Sequence, residues 1–158
     1  MKTLKPNEAK GFTIIEVVLV LAIAGLIFLV VFLALPALQR SQRDTQRKSD
    51  LGKLMSQATA YQSNNQGLLP SGSAWDAAFK SGYLTVNNAS FADPSSGNTY
   101  TITQQSGFNT KPGVGEIFIY INARCDSGQA DGLSAGAGSR SFAAIIYQEQ
   151  GAYSCQNN

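Results

Sequence analysis

The sequence predicts an α+β fold: one long N-terminal helix, membrane-spanning in its first half and amphipathic in its second, packed on a small antiparallel β-sheet. Three observations carry this expectation. An apolar run covers residues 12–35. Leu51, Leu54, Met55, Ala58 and Tyr61 then recur at three- and four-residue spacing, the period of one helix face. Finally, residues 116–122 alternate, with Ile117, Ile119 and Ile121 on one side and Phe118 and Tyr120 on the other, the period of a strand.

Taken in order, residues 1–11 form a short polar leader carrying Lys2, Lys5 and Lys10. Residues 12–38 form the transmembrane helix. The apolar run would extend about 36 Å as a helix, enough to cross a bilayer core. It holds one carboxylate, Glu16, and no basic residue to pair with it. A charge inside hydrocarbon is costly and is a functional hypothesis by default. Gly25 and Pro36 are the weak points of the helix. Pro36 lacks the N–H that an interior helical residue donates, so a kink or loosening is expected there.

Residues 39–66 continue the helix. From 39 to 50 the chain is polar all round, and Arg40–Asp44 and Asp44–Lys48 stand four apart, the spacing of helical ion pairs. Most of these side chains are expected on a solvated face. The amphipathic stripe beginning at Leu51 should dock on the C-terminal domain. Asn64, Asn65 and Gly67 end the helix, and Pro70 confirms the stop.

Residues 67–158 supply the globular domain, one small unit by length. A turn-rich connector with a short helix over 74–80 leads to three runs, 100–104, 116–122 and 141–148, which read as antiparallel strands. Glycine-rich loops join them.

Composition excludes several functions. The net charge is +2, so no general nucleic-acid surface is indicated, and nucleic acid as a partner is unsupported. There is no histidine, the commonest acid–base catalyst, and no recognisable catalytic motif, so catalytic residues and cofactors are not expected. Cys125 and Cys155 are the only cysteines. Two cannot complete a tetrahedral zinc site. In an extracytoplasmic domain a disulfide is expected, with two unpaired buried thiols as the alternative. Asp126 and Asp131 flank an oxygen-rich loop and are candidate calcium ligands, but the EF-hand spacing fails, and a plain exposed turn is the alternative. Asn88-Ala89-Ser90 matches the glycosylation acceptor pattern. Arg40, Arg43, Arg47 and Lys48 follow the apolar run, which by the positive-inside rule would place the C-terminal domain in the cytoplasm. The cysteines argue the reverse.

The leader lysines, Gly11, Phe12, Thr13, Glu16 and Gly25 resemble the prepilin signal of type IV pilins and related pseudopilins. The resemblance covers about the first 35 residues and is looser beyond, where Gly82-Tyr83-Leu84, Asp93-Pro94 and Tyr100 are similar to pilins. It implies the pilin fold, cleavage after Gly11 by a prepilin peptidase and N-methylation of Phe12. It also implies an assembly role for Glu16, whose carboxylate would meet the amino terminus of a neighbouring copy. Partners would be copies of the chain in a helical filament, the peptidase, the membrane assembly platform and, before assembly, membrane lipid. The expected location is the cytoplasmic membrane, domain outside, and then an extracellular pilus serving adhesion, twitching motility or DNA uptake. Type II secretion pseudopilins often carry tryptophan after the Asp-Pro pair, where this chain has Ser95. A pseudopilin of a secretion or competence machine, or a minor tip pilin acting as an anchored binding module, is the alternative.

Overall fold

The structure is a computed structural model that describes residues 11–85, 90–128 and 132–158. It comprises two compact units, Met1–Gln39 and Arg40–Asn158. One helix, α1 (Ile14–Asn64), contributes to both. It begins two residues after Phe12, where the sequence had suggested it starts.

In the first unit, α1 is apolar and exposed: Phe28, Leu29 and Leu33 are 61%, 62% and 73% accessible. The helix is long and apolar enough to cross a membrane. Helical structure continues through Pro36. The expected loosening there does not break the helix, because a proline removes one hydrogen bond while the turns on either side keep theirs.

In the second unit, α1 buries a single stripe: Asp44, Arg47, Asp50, Leu51, Leu54, Met55, Ala58 and Gln62. The spacing is helical throughout, yet its first three members are charged. Most side chains of residues 39–50 are exposed, as expected, and Asp44, Arg47 and Asp50 are the buried exceptions. The helix ends where Gln66 and Gly67 adopt positive φ (57° and 83°). The Gly67 N–H then bonds back to the Gln62 carbonyl at 2.7 Å, a six-to-one closure that satisfies a terminal helix acceptor.

The connector carries a 3₁₀ turn at Gly72–Trp75 and a wide helical turn at Lys80–Leu84 in place of one short helix over 74–80. The main sheet has four strands, β1 (Thr101–Gln105), β2 (Glu116–Ile121), β5 (Phe142–Tyr147) and β6 (Tyr153–Asn157), in the order β1-β2-β5-β6. β3 (Ala123–Cys125) and β4 (Leu133–Ala135) form a separate antiparallel pair. The sheet is mostly antiparallel, but β1 runs parallel to β2, with Thr101 opposite Glu116 and Gln105 opposite Tyr120. The connection 106–115 accounts for this. It crosses the second face of the sheet, where Phe108 packs on Tyr120 at 5.3 Å between ring centroids and Pro112 is buried. The chain therefore re-enters beside the start of β1 rather than folding back along it.

The alternation in β2 sorts the core. Ile117 and Ile119 face the α1 stripe together with Ile102, Phe142, Ala144 and Ile146. Phe118 and Tyr120 face the opposite side with Ala143, Ile145 and Leu133. Trp75 is fully buried in the first cluster, 5.1 Å from Phe79 and 6.1 Å from Phe142 between ring centroids. The outer edge of β1 is tied to the connector by one side chain from each. Asp76 Oδ1 accepts the Ile102 N–H at 2.9 Å, and Gln104 Oε1 accepts the Gly72 N–H at 2.8 Å.

Candidate functional site

Gly11, Phe12 and Thr13 precede the first helical residue and are exposed. A Cβ at Gly11 would meet nothing within 4 Å. Thr13 stands at the N-cap and Glu16 at the third helical position. The Thr13 N–H and Oγ1–H both donate to Glu16 Oε2 at 2.8 Å, and the Glu16 N–H points back to Thr13 Oγ1 at 3.3 Å. This is a reciprocal capping box, in which a side chain at each end satisfies a backbone donor of the other. Phe12 and Val17 occupy the two positions that commonly clasp such a box from outside. Both line an apolar depression of about 520 Å³ with Glu16, Val20 and Leu21.

Glu16 therefore has local partners that a search for basic residues missed. The signal was present as Thr-x-x-Glu at the head of an apolar run. Among the described residues no cation pairs with it. The donors in the box are the main-chain N–H and hydroxyl of Thr13, so a cut between Gly11 and Phe12 would leave both in place. The arrangement can hold a carboxylate at a helix start in apolar surroundings while leaving Oε1 open to a further donor.

Cys125 and Cys155 are joined, with Cα atoms 5.8 Å apart. The bridge ties β3 to β6 beside the second hydrophobic cluster. Asp126 Oδ1 accepts the Gly128 N–H at 2.9 Å, closing a local turn. Asp131 lies outside the described residues, as do Asn88 and Lys2, Lys5 and Lys10. Among the described residues no group of three or more metal-ligating side chains occurs.

A second polar cluster was not foreseen. Arg47 is fully buried. Its Nε and Nη2 bond to Asp93 at 2.7 and 3.1 Å, Nη1 to Asp44 Oδ1 at 3.0 Å, and Nη2 also to Glu149 Oε1 at 3.1 Å and Ser95 Oγ at 2.9 Å. Arg43 grips Glu149 with two parallel bonds of 2.7 and 2.6 Å. The Glu149 N–H donates to Asp44 Oδ1 at 2.8 Å. Asp44 thus pairs with Arg47 and not with Arg40 or Lys48, both of which are exposed. Burial raises the Asp93 pKa, but the Arg47 bonds and three donors from Ser95 and Ser96 outweigh it and hold the carboxyl at about 2. Glu149 is lowered chiefly by its bond to Arg43. Asp50 is shifted the other way, raised by burial although Tyr100 and Gln46 donate to it. The Tyr100 hydroxyl is raised by burial and by the Asp50 charge. The cluster holds together the start of this unit's helix, the Asp93-Pro94-Ser95 turn and the β5–β6 hairpin. Ser95 bonds both Asp93 and Arg47.

Comparison with protein-family models, with curated proteins and with solved structures finds no match.

Proposed function

We propose that this chain is the structural subunit of a type IV pilus filament, cut after Gly11, methylated on Phe12 and polymerised through its apolar helix. The observation that carries this reading is Glu16, a carboxylate fixed by Thr13 at the head of a helix with an almost wholly apolar, exposed surface. Contiguous apolar surface of that extent requires a cover. Lipid can provide it for a single copy and neighbouring helices for an assembled one. Cutting at Gly11 creates a cation on Phe12, and the open oxygen of Glu16 on an adjacent copy offers it an ionic partner. A buried pair offsets much of the desolvation that either charge would suffer alone. The chain would wait in the cytoplasmic membrane with its globular unit outside and leave through the assembly platform.

Glu16→Val tests this reading. The variant should insert and be processed as well as wild type, yet yield little sheared extracellular filament. Equal filament yield from the variant, with normal cleavage, would defeat the assembly role of Glu16 and leave a membrane-anchored module.

A further inference from the structure

We infer that the globular unit carries a binding site for a carboxylated sugar, centred on Arg140. A cavity of about 420 Å³ opens where α1 ends and β5 begins, lined by Gln66, Leu68, Ser71, Gln104, Ser139 and Arg140. Three observations converge there.

The first is the arginine. Its main chain is tied down, the carbonyl accepting from Gln62 Nε2 at 2.8 Å and from Asn158 Nδ2 at 3.0 Å. Its guanidinium, by contrast, has no hydrogen-bond acceptor and no carboxylate among the described residues. Five N–H donors in a planar fork are thus open.

The second is how the guanidinium is held. It lies against the main chain at Gly67, where a Cβ would come within 2.9 Å of Nε and 3.1 Å of Cζ. Gly67 and Gln66 are both left-handed, and for glutamine that conformation is uncommon. Residue 67 therefore has two reasons to be glycine, its φ and the room it leaves for the arginine.

The third is the wall. Leu68 is 67% exposed, one of three large apolar side chains left open among the described residues of this unit, beside Val114 and Tyr153. Hydroxyls and amides from Ser71, Ser139 and Gln66 stand beside it.

These features select the ligand. A cation at this point also opposes the carbonyl end of α1, which has no basic residue in its last turn. The same carbonyl end disfavours a bare anion, so a ligand must gain from the walls as well as from the guanidinium. A pyranose carrying a carboxylate does so: the acid takes the planar fork, the hydroxyls meet the amide and serine groups, and a C–H face rests on Leu68. Nucleic acid fits less well. No aromatic side chain lines the cavity to stack a base, and one arginine offers a single phosphate contact.

The test is titration of the full chain, held in a sugar-free zwitterionic detergent, with glucuronate, glucose, acetate and inorganic phosphate. Arginine Nε–Hε resonances provide the readout. Glucuronate should bind saturably in the millimolar range, with glucose and acetate each about ten-fold weaker. Arg140→Gln should abolish the shift. Leu68→Glu, at an exposed position, should do so by repelling the carboxylate while Trp75 emission stays native. Equal responses to glucose, acetate or phosphate, tighter binding of a single-stranded oligonucleotide, no response to glucuronate, or an unchanged response in either variant would overturn the assignment. None of these measurements requires polymerisation, so their failure and that of the filament reading are separable.

Discussion

Replacing Arg47 with methionine isolates the energetics of the buried ionic cluster. The substitution keeps the length of the stem and deletes five polar contacts: two to Asp93 and one each to Asp44, Glu149 and Ser95. Removing one partner of a buried pair typically costs about 3–5 kcal/mol, because the surviving charge stays desolvated. Here the lower end is expected. Asp93 keeps N–H donors from Ser95 and Ser96 at 2.9 and 3.2 Å, and Glu149 keeps Arg43. Asp44 has less to fall back on, since its Oδ2 already lacks a partner and only the Glu149 N–H would remain. Urea unfolding of the detergent-solubilised chain, followed by emission of the single Trp75, measures the loss. Arg43→Met, on a pair with side chains 30% and 17% exposed, should cost far less. The pH arm has a definite sign. Asp93 titrates at about 2 in the folded chain against an ordinary 3.8. Its contribution, at most about 2 kcal/mol, is fully present above pH 3.8 and is lost as pH falls through 2. Asp50, raised by burial, contributes with the opposite sign as pH rises. In Arg47→Met the loss between pH 4 and 2 should shrink. An Arg47→Met penalty no larger than that of Arg43→Met, or an acid limb unchanged by the substitution, would refute the reasoning.

Three further outcomes are expected. Intact-mass measurement of filament protein should show loss of residues 1–11 and one methyl on Phe12; retention of Met1 would exclude processing. Cys155→Ser should lower stability by about 3–4 kcal/mol, since the bridge closes a loop of 30 residues, and equal urea midpoints for the two proteins would count against it. Thr13→Ala should cost the first turn of α1 about 1 kcal/mol, seen as faster amide exchange at Ile15 and Glu16, with Thr13→Ser close to wild type. Unchanged exchange would mean that the box holds nothing.

The elements best read from sequence were those whose chemistry repeats locally. The apolar run, the stripe from Leu51 and the alternation across β2 each stand within one stretch of chain, and each was found in place. The Cys125–Cys155 pair followed from there being only two cysteines. The direction of β1 was not legible, because parallel pairing depends on how residues 106–115 cross the sheet, and that rests on Phe108 and Pro112 finding partners on other strands. The burial of Arg47 was not legible for a related reason. A charged residue among charged neighbours signals solvent, and its partners Asp93 and Glu149 stand 46 and 102 residues away. The capping role of Thr13 is written locally, as Thr-x-x-Glu at the head of the apolar run, and is a separate signal from the charge of Glu16.

The carboxylate of Asp76 has a consequence for crowding. A bare sheet edge is a template on which a second polypeptide can add its own strand, and amyloid-like stacking begins that way. Strand β1 is such an edge, rich in threonine and glutamine. The Ile102 N–H is already engaged by a fixed negative charge, and the Gly72–Trp75 turn lies alongside. At high concentration that blockage should keep the edge from accepting a second chain. Asp76→Ala leaves the hydrophobic core untouched, yet it should convert a storable protein into one that precipitates with time and concentration, detectable by thioflavin binding long before any loss of thermal stability.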